Sequence, residues 1–183
     1  MNSIQKAIIP GILVGAFTLV GLSKMVMSPR TVNAATEEVR VQKSSNTCEF
    51  YDRYPEKVQQ WCNLIEESSE KYSIDPLLIA AIMLQESGGQ SEIMSGSGAV
   101  GLMQVMPRDG IASSFQCING PCFANRPSIE ELKDPAFNID YGVRMLAGLI
   151  ERYGDIREAL KHYGPYDVGY QYADKVLLIR NGL

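Results

Sequence analysis

The segment SIDPLLIAAIMLQESGG, residues 73–89, constrains the fold more than any other part of the chain. Every residue from Leu77 to Leu84 is apolar, so periodicity alone cannot separate a buried strand from a buried helix. The entering proline, the alanines, the leucines and the methionine favour a helix. A helix apolar on all sides must lie at the centre of a core. Asp75 is the expected N-cap, Pro76 the first helical residue, and Gly88-Gly89 the stop. At the end of this run stands Glu86. A carboxylate brought out of water is costly unless it is paired or protonated. Glu86 therefore either faces solvent at the helix end or keeps its proton near neutral pH, which suits a general acid.

The remainder reads as further helices. In residues 55–71, Val58, Trp61, Cys62 and Ile65 fall on one helical stripe. Residues 91–110 are rich in glycine and serine and read as a loop, with a short helical turn at 102–106 and a turn at Asp109-Gly110. Ser128 and Glu131 have the spacing of a capping box, and Asp134-Pro135 is a second start signal. Ile139, Val143, Leu146, Ile150 and Tyr153 then trace a helix that stops at Gly154. Asp155 opens another, with Ile156, Leu160 and Tyr163 facing inward, broken at Gly164-Pro165. A last helix is expected over residues 169–180. With no strand pair in view, the fold class is all-α.

The N-terminus has a different character. Lys6 precedes an uncharged, largely apolar run from Ile8 to Leu22, and Val32-Asn33-Ala34 offers a small-residue cleavage pattern. Residues 1–34 are read as a signal peptide. The alternative is an uncleaved membrane anchor, although Lys24 interrupts it and a span needs about 20 residues. Residues 35–46 read as a flexible leader and residues 47–183 as the folded domain. Either reading places that domain outside the cytoplasm, with membrane contact only if the N-terminal segment stays uncleaved.

Cleavage removes three of the 17 basic residues and none of the 21 acidic ones, leaving a net charge of −7. That argues against nucleic acid, or an anionic membrane surface, bound through a basic patch. Cys48, Cys62, Cys117 and Cys122 lie in the exported part and suggest two disulfides. Three pairings are possible; nearest neighbours, Cys48–Cys62 and Cys117–Cys122, are the simplest. One histidine, His162, and no Cys-x-x-Cys make a metal site the weaker reading.

Three short stretches carry a family resemblance: Glu86-Ser87, Gly101-Leu102-Met103-Gln104 followed by Pro107, and an aromatic segment around Tyr163. Together they resemble the lytic transglycosylases of the soluble type, in the goose-lysozyme-like superfamily. The resemblance implies a lysozyme-like helical domain that acts on peptidoglycan glycan strands as a monomer, without metal or cofactor. It implies cleavage of the MurNAc-β-1,4-GlcNAc bond with formation of 1,6-anhydro-MurNAc, Glu86 serving as general acid and then base. A hydrolytic muramidase and a catalytically idle glycan-binding module are the rival readings. Ser87, Met103, Gln104, Tyr163 and Tyr172 become substrate-site residues, with the Tyr163 hydroxyl directed at Glu86. The third motif departs from the family pattern Ala-x-x-Tyr-Asn-x-Gly, because Gly164 stands where the asparagine is expected. The stretch QCINGPCFANRP reads as an insertion beside the cleft.

Overall fold

The computed structural model describes residues 52–182. The expected signal peptide or anchor, the leader and Cys48 lie outside the described residues. Seven α-helices make up most of the described chain: α1 Glu56–Gln59, α2 Cys62–Tyr72, α3 Pro76–Ser87, α4 Ile129–Leu132, α5 Pro135–Tyr153, α6 Ile156–Tyr163 and α7 Gln171–Asn181. None of the described helices is long and apolar enough to cross a membrane.

Helix α3 is the centre, as its composition dictates. Leu78 through Met83 are all buried, packed among α1, α2 and α7. Each large aliphatic side chain so buried contributes about 1.5–3 kcal/mol, and truncating Ile82 to alanine would cost about 2–5 kcal/mol through the cavity left behind. The Asp75 carboxylate caps the helix by accepting from Leu77 N at 2.9 Å. Its other oxygen accepts from Arg180 Nε of α7 at 2.6 Å, so one side chain starts α3 and ties down the last helix. At the far end Gly88 is left-handed, with φ 61°. Gly89 follows at φ 82°, where a Cβ would lie 2.1 Å from the Lys57 carbonyl oxygen. The glycine pair thus turns the chain and presses it against α1.

The expected helix over residues 55–71 is two helices. The chain breaks at Gln60-Trp61, and the Trp61 indole donates to Gly89 O at 2.9 Å. Val58, Cys62 and Ile65 are buried as the stripe requires, while Trp61 is only half-buried. The Ser128–Glu131 capping box and the Asp134 cap are both present. Helix α5 presents Asn138, Ile139, Gly142, Val143 and Leu146 to the core, packing against α2, α4 and α6. Ile156, expected inward, is 39% exposed, because it occupies the first position of α6, ahead of the buried Ala159 and Leu160. Helix α7 starts two residues later than expected.

Two features depart from a purely helical reading. The expected turn of helix at 102–106 is a tight loop: Val100 and Val105 exchange both backbone hydrogen bonds, at 3.0 and 3.1 Å. Left-handed Gly101 (φ 78°) and Gln104 (φ 46°) stand at its two ends, and that backbone cannot continue a right-handed helix. Second, β1 Gln116–Cys117 pairs antiparallel with β2 Gly120–Pro121, a hairpin closed by the Cys117–Cys122 disulfide. Cys62 is also disulfide-bonded, its partner lying outside the described residues.

Candidate active site

Glu86 lies on the last turn of α3, half-buried. Loss of water around the carboxyl raises its pKa to about 7, and a hydrogen bond from Tyr172 works in the opposite direction. The Tyr172 hydroxyl donates to Glu86 Oε1 at 2.5 Å. Tyr172 belongs to α7 and is 6% exposed. Its own pKa is raised, first by burial and then by the Glu86 charge, so it remains a phenol and a donor. The C-terminal end of a helix carries partial negative charge, which also disfavours the ionised form of an acid placed there.

This geometry corrects the expected role of Tyr163. Its hydroxyl donates to Met103 O at 3.0 Å rather than to Glu86. Its ring stacks beside that of Tyr172, with centroids 6.5 Å apart. Tyr163 thus pins the Gly101–Gln104 loop, and the tyrosine of α7 holds the acid.

The same loop is held from below by Asn138, which is 1% exposed. Its side-chain nitrogen donates to Val100 O at 2.9 Å and Leu132 O at 2.8 Å. Its oxygen accepts from Met103 N at 2.8 Å. Gly142, one helical turn on, gives room: a Cβ there would lie 2.5 Å from Met103 Cβ and 3.1 Å from the Tyr163 hydroxyl oxygen. Ser87, buried at 4% exposure, turns its hydroxyl to Met83 O and Leu102 O at 3.1 and 2.9 Å and accepts from Gly89 N at 3.1 Å. It fastens the acid-bearing turn to the loop and does not open on the cleft.

Above these supports lies a cleft of about 280 Å³, lined by Glu86, Ser95, Ser97, Ala99, Gln104, Met106, Tyr163, Gly164 and Pro165. The structure therefore brings Glu86, Gln104 and Tyr163 to one surface and places Tyr172 directly behind the acid. Met103, with no exposed surface, belongs to the core and not to the cleft wall. Gln104 spends its amide NH2 on Gly101 O at 2.9 Å and Ile93 O at 3.3 Å. No residue of 117–127 is among those lining the cleft, so the disulfide hairpin does not form its wall. His162 stacks on Tyr153 at 4.1 Å between centroids, on the exposed side of α6.

Sequence reasoning missed Asn138 and Gly142. The signal was available: residues 138, 142 and 146 recur every fourth position on the inward face of α5, and an asparagine on such a stripe must find partners for its amide.

The transglycosylase SLT domain matches residues 63–173, well over half of the chain. The chain belongs to that family. Among its relatives, membrane-bound lytic murein transglycosylase E of Buchnera aphidicola is 36% identical over 100 residues, 55% of this chain and 44% of that one. Endo-type membrane-bound lytic murein transglycosylase A of Klebsiella pneumoniae is 36% identical over 91 residues, covering 50% and 43%. A transglycosylase of Enterobacteria phage PRD1 is 36% identical over 104 residues, covering 57% and 34%. The match thus spans less than half the length of each of these relatives.

Proposed function

We propose that this chain is a lysozyme-like peptidoglycan lytic transglycosylase that cleaves the MurNAc-β-1,4-GlcNAc bond and leaves 1,6-anhydro-MurNAc. The observation that carries this reading is a single protonatable carboxyl in the cleft. Among the described residues, Glu86 is the sole acid lining it, and its pKa of about 7 keeps a substantial fraction protonated at neutral pH. Glycosidases that hydrolyse generally use two carboxyl groups about 5 to 10 Å apart, one of them acting on water or on the sugar carbon. Glu92 is exposed outside the cleft lining. Asp109 is committed to capping Ile129 N at 2.8 Å.

One carboxyl can serve both halves of an internal transfer. Protonated Glu86 gives its proton to the glycosidic oxygen as the bond from C1 breaks, releasing the GlcNAc hydroxyl. The resulting carboxylate takes the proton of the muramyl C6 hydroxyl while that oxygen bonds to C1. The proton count closes, Glu86 is reset, and no water is consumed. Neither step calls on a metal or a cofactor. Tyr172 orients the carboxyl, Tyr163 lines the cleft and holds the loop, and the Gln104 amide oxygen with Ser95 and Ser97 faces the polar groups of an N-acetylated sugar. Ser87 and Met103 act by shaping this surface from behind. The substrate lies outside the cytoplasm, so residues 1–34 would export the domain or anchor it facing outward, in keeping with the membrane-bound relatives.

The test is mass spectrometry of the sugars released from purified peptidoglycan by the protein and by its Glu86→Gln variant. Products ending in 1,6-anhydro-MurNAc, absent with the variant, are expected. Reducing ends one water heavier would establish a muramidase instead. A folded protein that binds glycan and releases nothing would be an idle binding module.

A further inference from the structure

Gly164 occupies the position where the family pattern carries an asparagine, and its backbone does not require glycine. With φ −72° and ψ −173° it is extended, a conformation open to every residue and favoured ahead of a proline such as Pro165. Packing makes the demand. A Cβ at 164 would lie 2.3 Å from Cγ, 2.5 Å from Cδ1 and 2.9 Å from Cβ of Tyr172. These atoms form the root of the tyrosine side chain, which cannot bend away as a flexible tip could. Nor can α7 retreat easily: Ala173 and Val176 are fully buried, Asp174 is paired with Arg157 at 2.6 Å, and Arg180 with Asp75. A side chain at 164 therefore pushes the Tyr172 ring, and its Cβ with it, off this position and away from Glu86.

We propose that the missing side chain at 164 is what allows Tyr172 to stand against Glu86, so that Gly164 is a positioning residue acting through Tyr172. In this chain an asparagine at 164 and the observed Tyr172–Glu86 contact exclude one another. The kinetic consequence rests on the reading of Glu86 as the acid; the geometric coupling does not. The titratable groups that face the Glu86 carboxyl are Tyr172 from α7 and Tyr163 from α6, with Arg126 acting in turn on Tyr163. No Lys, Arg or His among the described residues pairs with Glu86, so a change in its titration reports chiefly on burial and the Tyr172 hydroxyl.

The experiment is a cycle of Gly164→Ala, Tyr172→Phe and the double variant, with Glu86 titrated through its side-chain carboxyl carbon by NMR. Tyr172→Phe should raise the titration midpoint in the parent protein and leave it unmoved when Gly164→Ala is already present. A parental midpoint in Gly164→Ala, together with a full Tyr172→Phe effect in both backgrounds, overturns the proposal. Melting temperature supplies a second arm. Gly164→Ala should lower it more in the parent than when Tyr172→Ala has removed the ring and left only the 2.9 Å approach to the Cβ; an equal loss in both backgrounds overturns the proposal. If Gly164→Ala alone does not fold, the double change with Tyr172→Gly, which removes all three clashing atoms, must fold, and its failure beside a folded Tyr172→Gly protein is again contrary. On peptidoglycan, Gly164→Ala should cut kcat roughly tenfold or more with KM little changed. Neither titration nor melting involves the substrate, so an absence of anhydro products would count against the function proposed above and leave this coupling standing.

Discussion

The side-chain nitrogen of Asn138 lies 2.3 Å from the point that a Cβ on Gly101 would occupy. The glycine opening the Gly101–Gln104 loop and the buried amide of α5 are therefore two halves of one fitting. Left-handed backbone at Gly101 (φ 78°) brings the loop down, and Asn138 gives Val100 O a second donor beside Val105 N and satisfies Met103 N and Leu132 O, which would otherwise be buried unpaired. Asn138→Ala strands those groups and should cost about 3 kcal/mol, measured by denaturant unfolding. Gly101→Ala should cost at least as much, since it adds backbone strain to the clash.

Glu86→Gln keeps the size of the side chain and removes the titrating proton. Cleavage of peptidoglycan should be lost, while the melting temperature at pH 7 stays the same or rises, because a neutral amide is easier to bury than a charge. A large fall in melting temperature would mean that the acid serves the fold instead.

The acid also leaves a signature in stability against pH. Its folded pKa of about 7 lies above the value of 4.5 for a free glutamate, so the folded state holds the proton more tightly than the unfolded one. The stabilisation is complete below about pH 4.5 and is lost as pH rises through about 7, a difference on the order of 3 kcal/mol. Glu131, Glu158 and Asp174 have lowered pKa values through their hydrogen bonds and act in the reverse direction at lower pH. Subtracting the pH profile of Glu86→Gln from that of the parent isolates the Glu86 contribution by thermal unfolding. The kcat profile should fall on the alkaline side with a midpoint near 7, as the general acid loses its proton.

The disulfide hairpin is peripheral. Cys117 and Cys122 are five residues apart, so closing the loop contributes about 2 kcal/mol at most. Gln116, Ile118 and Asn119 are exposed. Replacing both cysteines by serine should leave the helical core and its cooperative unfolding nearly intact. Cleavage by a protease should concentrate at residues 113–124, and a drop in global stability of more than about 2 kcal/mol would contradict this assignment.

What the sequence disclosed was local. Asp75-Pro76, Gly88, Ser128-x-x-Glu131, Asp134-Pro135 and Gly154 mark helix ends through bonds made within a few residues, and all appear where the chain announces them. Glu86 was legible because an acid bordering an all-apolar run is conspicuous. Its partner was not: two tyrosines, 163 and 172, have equal chemistry, and only the packing of α7 on α3 decides between them. The loop at 100–105 misled for a similar reason. Leu102 and Met103 favour helix, yet the shape is dictated by Asn138 and Tyr163, 35 and 60 residues further along.

The indole that crosses from the α1–α2 break to the Gly89 carbonyl is the sole tryptophan in 183 residues. Its emission therefore originates at one place, on the turn three residues beyond Glu86. Light excited at the red edge of the absorption band would follow that turn alone, without any label, as a glycan enters or as the acid gives up its proton.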